Sequence, residues 1–334
     1  MIADKNESLR SLAEKSNLYI GTCVSNQALD SDPEYAKHIA REFNLVTAEN
    51  ALKFNVLCPE KDYYNFEPAD KLLAFAEKHG MQFRGHVLVW DQQLPGWLTA
   101  GNFSRTELIN ILTGHIDKVV SRYAGRIAVW DVVNEAIDQH GDFRKSFWYN
   151  GIGPDYVEIA FHAARAADPT AKLFYNDYGA EGSHDQEKGI YLLLKRLKER
   201  AVPVDGVGFQ MHLSVESDAG GSVGSINTDR LTDLGLEFNI TELDVKMNLE
   251  DSLRSTRRDI QSGIYSEVFS RYGNEKKCGT FILWGFTDKY SWIPFFYPGL
   301  GEATIMTKDY ACKPAYFAIQ EALKNILHSH SYSL

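Results

Sequence analysis

The dominant pattern in this chain is a short apolar strand followed by an amphipathic helix, repeated eight times. Strand–helix alternation of this kind predicts a parallel sheet, and eight units predict closure of that sheet into a barrel. The length of 334 residues suits one α/β domain, a (β/α)8 TIM barrel over residues 1–334. The predicted strands are residues 18–25, 45–49, 82–90, 127–134, 172–177, 207–212, 237–242 and 280–285.

The segments between the predicted strands carry helix and loop signals. Ser104 and Glu107 form a capping box ahead of an apolar helical repeat, and Pro154 is expected to open another helix. Two connections, residues 91–104 and 287–312, are longer than a strand-to-helix turn needs. Because both follow strands, we expect both at the carboxyl face of the barrel, where such folds keep their active sites.

The charge balance excludes some classes of partner. Lys and Arg number 35 against 45 Asp and Glu, a formal net charge of −10. A nucleic-acid-binding protein normally carries a basic patch, so no nucleic-acid partner is expected. No apolar run approaches the roughly 20 residues of a membrane span, and the polar N-terminus lacks the apolar segment of a signal peptide. These features predict a cytoplasmic protein without membrane contact, unless a leader has been removed.

The cysteines and glycines indicate neither a metal nor a cofactor. Cys23, Cys58, Cys278 and Cys312 form no C-x-x-C pair, so a zinc or redox motif is unsupported. In a chain of this size they are expected to be reduced thiols rather than a disulfide framework. Neither a phosphate-binding loop nor a dinucleotide fingerprint is present. We therefore predict that the protein needs no metal and no cofactor, and nothing points to an obligate protein partner.

Polar and aromatic side chains stand at the carboxyl ends of seven successive predicted strands. Each one alone has a simpler explanation, because Asn and Asp often cap helices and a lone His is often a core residue. The whole set is harder to explain that way. Burying so many polar groups costs free energy unless they form hydrogen bonds with one another or with a ligand. In chain order they are Glu49, Asn50 and Lys53; His86 and Trp90; Asn134 and Glu135; Asn176, Asp177 and Tyr178; Gln210 and His212; Glu242 and Asp244; and Trp284.

Two of these strand ends carry glutamates, Glu135 and Glu242. Cleavage of a glycosidic bond needs one carboxylic acid and one carboxylate on either side of the bond. The acid must stay protonated near neutral pH, through burial or a neighbouring negative charge. The nucleophile must stay ionised, and His212 could donate a hydrogen bond to Glu242. Asp244 could orient that histidine, although a helix cap or a surface ion pair is an open alternative for Asp244.

The chain resembles glycoside hydrolase family 10, the family of retaining endo-β-1,4-xylanases. Two of the matching segments contain the glutamates: residues 130–136 (WDVVNEA) and 240–244 (ITELD). The matches run in order along nearly the whole chain, which makes coincidence an inadequate explanation. The other matching segments are residues 85–90 (GHVLVW), 175–178 (YNDY), 208–212 (GFQMH) and 284–292 (WGFTDKYSW).

The resemblance implies hydrolysis of β-1,4 linkages in xylan or xylo-oligosaccharides by double displacement. Glu135 would be the general acid and then the general base, and Glu242 the nucleophile that forms a covalent glycosyl-enzyme. Asn134 would bind the 2-hydroxyl of the sugar being cleaved. The resemblance further implies that the same sugar is bound by Lys53, His86 and Gln93, and that the next sugar toward the non-reducing end is bound by Glu49 and Asn50. Both positions would be walled by Trp284 and Trp292, and a sugar on the leaving side would stack on Tyr178. The rest of the predicted substrate-binding set is Trp90, Gln210 and His212.

One departure from the family is visible in the loop after predicted strand 3. The family commonly has a histidine directly after the tryptophan matched by Trp90, in the pattern W-H-x-Q. Here Asp91 takes the place of the histidine, while Gln93 keeps the glutamine. The replacement leaves the sugar contacts of this loop open but does not touch the catalytic pair.

Three hypotheses remain distinguishable by experiment. A retaining xylanase predicts carboxyl groups of Glu135 and Glu242 about 5–5.5 Å apart, whereas a separation near ~8 Å would indicate inversion. The same barrel could instead cleave glucans or act from one end on aryl β-glycosides, although a bulky Trp292 would exclude the hydroxymethyl group of a hexose. A non-catalytic sugar-binding protein is disfavoured because both glutamates are present. Without a secretion signal, imported short xylo-oligosaccharides are a more natural substrate than an insoluble polymer.

Overall fold

The computed structural model describes residues 7–216, 223–224, 226–250 and 253–331. Residues 1–6, which carry most of the polar N-terminus used for the signal-peptide prediction, lie outside this range. Ten strands occur among the described residues. They are β1 (Tyr19–Val24), β2 (Leu45–Ala48), β3 (Gln82–Gly85), β4 (Val129–Asn134), β5 (Lys172–Asp177), β6 (Gly206–Phe209), β7 (His212–Ser214), β8 (Glu237–Asn248), β9 (Cys278–Leu283) and β10 (Leu300–Gly301).

Except between β6 and β7, helices separate the strands along the described chain, in the alternation that the sequence predicts. None of them is long and apolar enough to span a bilayer. The helices are α1 (Leu9–Lys15), α2 (Asn26–Ser31), α3 (Pro33–Glu42), α4 (Phe54–Leu57), α5 (Glu67–Lys78), α6 (Gly96–Thr99), α7 (Arg105–Arg122), α8 (Phe147–Ile152), α9 (Tyr156–Ala167), α10 (His184–Glu199), α11 (Thr228–Asp233), α12 (Arg254–Tyr272), α13 (Ile293–Phe296) and α14 (Pro314–Ser331).

Helix α7 begins where its capping box predicts. The Ser104 hydroxyl accepts the backbone N–H of Glu107, and the Glu107 carboxylate accepts the backbone N–H of Ser104. Helix α9 differs from expectation, since it begins at Tyr156 with Asp155 as its N-cap, and Pro154 lies in the turn just before it. The two long connections are partly ordered, because they contain α6 in one case and α13 and β10 in the other.

Three strand ends, those of β3, β6 and β8, differ from the predicted bounds by three residues or more. β3 stops at Gly85 instead of residue 90, because the register against β4 slips there: Gly85 pairs with Trp130, and the next bridge joins Val89 to Val133. An extra residue on one strand of a ladder is a bulge, and it ends regular pairing. β6 stops at Phe209 instead of residue 212, because Met211 takes a left-handed backbone with φ of +62°.

β8 continues past the predicted end at residue 242 and reaches Asn248. The extension is stabilised on one side by parallel pairing with β7 and on the other by antiparallel pairing with β10. Val245 and Met247 are fully buried in this stretch, so its apolar alternation continues beyond Glu242. Glu242 therefore lies inside a strand rather than at its end.

The described chain divides into two compact units. The first unit comprises Met1–Val46, Met211–Gly224 and Asn239–Leu334. Within it β1 pairs in parallel with β9, and β9 also pairs with β8. Helix α12 packs against α14, and Phe269 of α12 stacks on Phe281 of β9 with ring centroids 4.4 Å apart. Burying side chains of this size stabilises the fold by roughly 1.5–3 kcal/mol each.

The second unit comprises Thr47–Gln210 and Ser225–Phe238. Its strands β3, β4, β5 and β6 are neighbours in chain order, and all run parallel where their register is resolved. Helices α7 and α9 pack against each other over this sheet segment. Trp130 and Trp148 are fully buried in the core of the unit. The consecutive order brings the carboxyl ends of these four strands to one edge.

All four cysteines are free thiols, as the sequence predicts, and three of them are buried.

Candidate active site

Amide side chains hold the carboxyl group of Glu135 at the end of β4, in the second unit. The side-chain N–H groups of Asn134 and Gln210 each donate to Oε1 of Glu135 at 3.0 Å. Oδ1 of Asn134 accepts from Gln210 at 3.2 Å and from Asn176 at 2.8 Å. All four residues are buried. Two uncharged amide groups therefore donate to this carboxyl group.

The backbone at Glu135 is strained and braced. Its φ is +58°, a left-handed conformation that costs a non-glycine residue roughly 1–2 kcal/mol. The Tyr175 hydroxyl accepts the N–H of Ala136 at 3.0 Å, and Nε of Arg144 donates to the carbonyl of Glu135 at 3.0 Å. The same Tyr175 hydroxyl donates to Asp177. These bonds fix the peptide unit that follows Glu135 and so restrict the direction of its side chain.

Asp177 is a buried carboxyl group in the electrostatic environment of Glu135. Burial raises the pKa of Asp177 well above its usual range; the hydrogen bond from Tyr175 opposes the shift, and the charge of Glu135 adds to it. The uncharged acid is the form that burial favours. Asp177 braces the backbone after Glu135 through the hydrogen bonds that it accepts from Tyr175 and from the N–H of Ile137.

His86 belongs to a charged cluster beneath the strand ends. Its Nδ1 lies 3.1 Å from Asp131, and Arg84 donates to the same carboxylate through Nε at 3.1 Å and Nη2 at 2.5 Å. Burial alone would raise the pKa of Asp131, but the positive Arg84 and the hydrogen bond with His86 outweigh burial and lower this pKa. The carboxylate thus stays ionised and fixes the orientation of the His86 ring.

Lys53, Asn50 and Trp90 come together after β2 and β3. Nζ of Lys53 donates to Oδ1 of Asn50 at 3.0 Å and lies 5.1 Å from the ring centroid of Trp90, within cation–π range. Burial raises the pKa of Glu49, partly offset by the charge of Lys53. The predicted sugar-binding residues of this region are therefore joined by direct contacts.

Tyr178 and the loop after β3 complete the residues predicted in the second unit. Nη2 of Arg144 donates to the hydroxyl of half-buried Tyr178 at 2.8 Å. Gln93 lies on an exposed turn, and its carbonyl accepts the N–H of Asn55 at 3.0 Å. Asn55 is not among the predicted sugar-binding residues, so this bond does not connect Gln93 to the others in the described part of the chain. Asp91 stands where the family commonly has a histidine. Burial raises the pKa of Asp91, and the charge of Arg144 opposes that shift.

Glu242, in the first unit, has a charged histidine as a neighbour of its carboxyl group. Nε2 of His212 lies 3.1 Å from Oε2 of Glu242, and Nδ1 lies 3.1 Å from Oδ1 of Asp244. The first contact has hydrogen-bond geometry, whereas the second is an ion-pair contact whose angle falls outside it. Burial lowers the pKa of His212, but Asp244 and Glu242 outweigh burial and raise it to about 10. An imidazolium thus lies between two carboxylates at neutral pH.

Two tryptophans surround the same histidine. The ring centroid of Trp292 lies 5.0 Å from that of His212, and the centroid of Trp284 lies 6.4 Å from it, both in edge-on orientation. Nε1 of Trp292 also donates to Oδ2 of Asp244 at 2.7 Å. The structure therefore brings the predicted residues of this unit together around Glu242. Asp244 contacts His212, as expected if it orients the histidine rather than capping a helix or forming a surface ion pair.

Three supporting residues were missed by sequence reasoning. Asp131 lies in the segment that contains Glu135, and a carboxylate at an interior strand position was an available signal of a buried charge cluster. Tyr175 likewise lies inside a matched segment. Arg144 lies in the loop after β4 and belongs to no recognised motif, so only the folded chain shows that it contacts both Glu135 and Tyr178.

Comparison with known proteins assigns the family. The sequence model of glycosyl hydrolase family 10 matches residues 8–322. The chain belongs to this family. It is a glycoside hydrolase, and its strand–helix order is that of the predicted (β/α)8 barrel.

Individual relatives support the assignment. Endo-1,4-beta-xylanase B of Thermotoga neapolitana is 43% identical over 321 residues, which cover 96% of this chain and 92% of that protein. The structure of xylanase 10B from Thermotoga petrophila in complex with xylobiose has a TM-score of 0.91 at 42% identity, covering 97% of this chain and 99% of that one. TsXylA, the intracellular xylanase of Thermoanaerobacterium saccharolyticum, has a TM-score of 0.84 at 34% identity, covering 95% and 99%.

Proposed function

We propose that this family 10 glycoside hydrolase is an endo-1,4-β-xylanase that retains the anomeric configuration. The observation that carries the catalytic assignment is the cationic His212 beside Glu242. A cation within hydrogen-bonding distance favours the ionised form of a carboxyl group, which is the form a nucleophile needs. The choice of xylan rests on the named activity of the relatives.

In the first step, Glu242 attacks the anomeric carbon of the sugar. Glu135 gives its proton to the glycosidic oxygen as the bond from that oxygen to the anomeric carbon breaks. The products are a glycosyl ester of Glu242 and a shortened chain with a new hydroxyl group. One amide N–H of Asn134 is bonded to Glu135, which leaves its second N–H to donate to the 2-hydroxyl of the sugar.

In the second step, water replaces the shortened chain. Glu135, now ionised, takes a proton from the water while its oxygen attacks the anomeric carbon. The bond to Glu242 breaks, Glu242 returns as a carboxylate and Glu135 is again protonated. Two inversions at the same carbon retain the β-configuration. Asp244 remains a carboxylate partner of His212 while Glu242 is esterified, so the histidine keeps a negatively charged partner through both steps.

The remaining assignments of the substrate site belong to the same proposal. Glu135 and Glu242 lie in different units, and we propose that residues 1–334 act as one catalytic domain because the family match extends over both. The sugar contacts proposed on the family resemblance are those of Glu49, Asn50, Lys53, His86, Trp90, Gln93, Tyr178, Gln210, His212, Trp284 and Trp292.

We also propose that the protein acts in the cytoplasm on short xylo-oligosaccharides. The support is the likeness to a xylanase that is named intracellular. Faster turnover of xylohexaose than of polymeric xylan is the expected result. A clear preference for insoluble polymer would contradict this part of the proposal and leave the chemistry unaffected.

The experiment that tests the function follows xylohexaose digestion by proton NMR, with cellohexaose as the matched hexose substrate. Internal cleavage that first releases β-anomers is expected for xylohexaose, with little or no cleavage of cellohexaose. First release of α-anomers would overturn the retaining mechanism. Faster cleavage of cellohexaose would overturn the sugar assignment, and release of only terminal units would overturn the endo assignment. Glu242→Gln is the control for contaminating activity.

A further inference from the structure

Three consecutive aromatic side chains project from α13 and its C-cap in the first unit. Phe295, Phe296 and Tyr297 are 83%, 61% and 41% exposed, and we call them the aromatic platform. Among the described residues, Phe295 is the most exposed of the large apolar side chains. Exposed apolar groups that form a contiguous patch are costly to leave in water and usually mark a binding surface.

The aromatic platform is continuous with the tryptophan beside His212. The ring centroid of Trp292 lies 5.3 Å from that of Phe296 and 5.7 Å from that of Tyr297. Phe295 extends the row, with its centroid 5.1 Å from that of Phe296. Trp292 in turn contacts His212 at 5.0 Å. An unbroken series of aromatic rings thus leads from the neighbour of Glu242 to the exposed end of α13.

The strand that carries Glu242 supports the same row. Side chains two residues apart on a strand point to the same face, and Glu242, Asp244 and Lys246 share one face of β8. Asp244 accepts the hydrogen bond of Trp292, and Nζ of Lys246 lies 5.1 Å from the ring centroid of Tyr297. Four residues of strand span roughly 13 Å, so the aromatic platform begins farther from Glu242 than one sugar ring reaches.

The base of the aromatic platform is ordered before any ligand binds. Ile293, the first residue of α13, is completely buried, and Pro294 occupies the first turn of the helix. The short strand β10 then pairs with the end of β8. A preformed surface loses less conformational entropy on binding than a flexible loop does.

We propose that the aromatic platform binds those xylose units of an oligosaccharide that lie beyond the units held at Glu242. This inference rests on the proposed function and adds a substrate-length preference to it. Flat aromatic faces suit the apolar faces of pyranose rings, and they accept a sugar that has no hydroxymethyl group as readily as one that has. Contiguity with Trp292 favours the substrate over a second copy of this chain as the occupant.

The test compares two substrates in four proteins: wild type, Phe295→Ala, the Phe295→Ala/Phe296→Ala double variant and Phe317→Ala. Phe295 is the cleaner single probe, because Phe296 contacts Trp292 directly. Phe317 is a matched control, an exposed phenylalanine of α14 in the same unit. The measured quantity is the ratio of kcat/KM for xylohexaose to kcat/KM for an aryl β-xylobioside. Circular dichroism and the unfolding temperature check that each variant is folded.

We expect the ratio to fall roughly fivefold to tenfold in the double variant, less in the single variant and not at all in Phe317→Ala. An unchanged ratio in a folded double variant overturns the inference. So does a wild type that sediments as a dimer and becomes monomeric in the double variant without a change of ratio, since the platform would then join two copies. If the wild type cleaves neither xyloside, the proposed function itself has failed.

Discussion

Glu135 and Glu242 carry the same side chain, but the side chains that hydrogen-bond to their carboxyl groups differ in charge. Glu135 receives two hydrogen bonds from the neutral amides of Asn134 and Gln210. Glu242 faces His212, whose raised pKa of about 10 keeps it cationic at neutral pH. Neutral donors tolerate both protonation states of a carboxyl group, whereas a fixed cation favours only the ionised one. The surroundings thus separate a residue that must exchange a proton from one that must not.

The largest effect is expected when each glutamate is replaced by glutamine. Glu242→Gln removes the nucleophile and should lower kcat/KM on the order of 10⁴-fold for every substrate. Glu135→Gln should lower kcat/KM for xylohexaose by a similar factor, but far less for an aryl β-xylobioside whose phenolate leaves without a proton. Steady-state kinetics with both substrates measures the difference. The reverse pattern, with the aryl substrate spared only in Glu242→Gln, would exchange the two roles.

The contrast between charged and neutral support recurs in two buried aspartates of the second unit. Asp131 is ionised between Arg84 and His86, whereas Asp177 has a raised pKa and a hydroxyl partner. Asp131→Asn removes the carboxylate paired with buried Arg84 and should lower the free energy of unfolding by about 3–5 kcal/mol. Asp177→Asn keeps a polar group that still accepts a hydrogen bond from Tyr175, and it should cost about 1 kcal/mol. Urea denaturation compares the two variants at neutral pH.

The pH dependence of stability should separate the same pair. The folded-state pKa of Asp131 is lowered, so its stabilisation is present above the ordinary pKa near 3.8 and is lost as pH falls below it. Acid should therefore lower the free energy of unfolding of the wild type more than it lowers that of Asp131→Asn. Equal acid sensitivity of wild type and Asp131→Asn would mean that this carboxylate is not the paired group the structure shows.

A smaller effect is expected at Asp244, which holds the imidazolium beside Glu242. Asp244→Asn removes the first of the two carboxylate contributions to the raised pKa of His212. We expect kcat/KM for xylohexaose to fall roughly 100-fold, since breaking a buried charge contact costs about 3 kcal/mol. The alkaline limb of the rate profile should also move to lower pH. An unchanged limb would show that Asp244 has a structural role only.

Stability should change with pH in the same pair of proteins. The folded-state pKa of His212 is raised, so its stabilisation is complete below the ordinary value of 6.5 and is lost as pH rises through about 10. The unfolding temperature of the wild type should fall across this window, and that of Asp244→Asn should fall less. Parallel curves would contradict the charge assignment of His212.

The sequence predicts the catalytic strands better than it predicts how the glutamates are held. Strand order and the apolar-then-polar pattern suffice to place Glu135 at the end of β4. The left-handed backbones of Glu135 and Met211 could not be predicted, because neither residue type prefers that conformation. Arg144 comes from a loop without a motif, and its two contacts exist only in the folded chain. The end of β8 could have been predicted from the sequence, because the apolar alternation continues through Val245 and Met247.

The smallest effect is expected for the neutral support of Glu135. Gln210→Ala removes one of the two amide donors to Oε1 but leaves the bond from Asn134. Loss of one neutral hydrogen bond corresponds to about 1 kcal/mol, so kcat/KM for xylohexaose should fall only fivefold to tenfold by this rough estimate. A loss as large as that of Asp244→Asn would remove the distinction between the two environments. Gln210→Glu sharpens the test, because a second carboxyl group beside Oε1 should raise the pKa of Glu135 and extend activity toward alkaline pH.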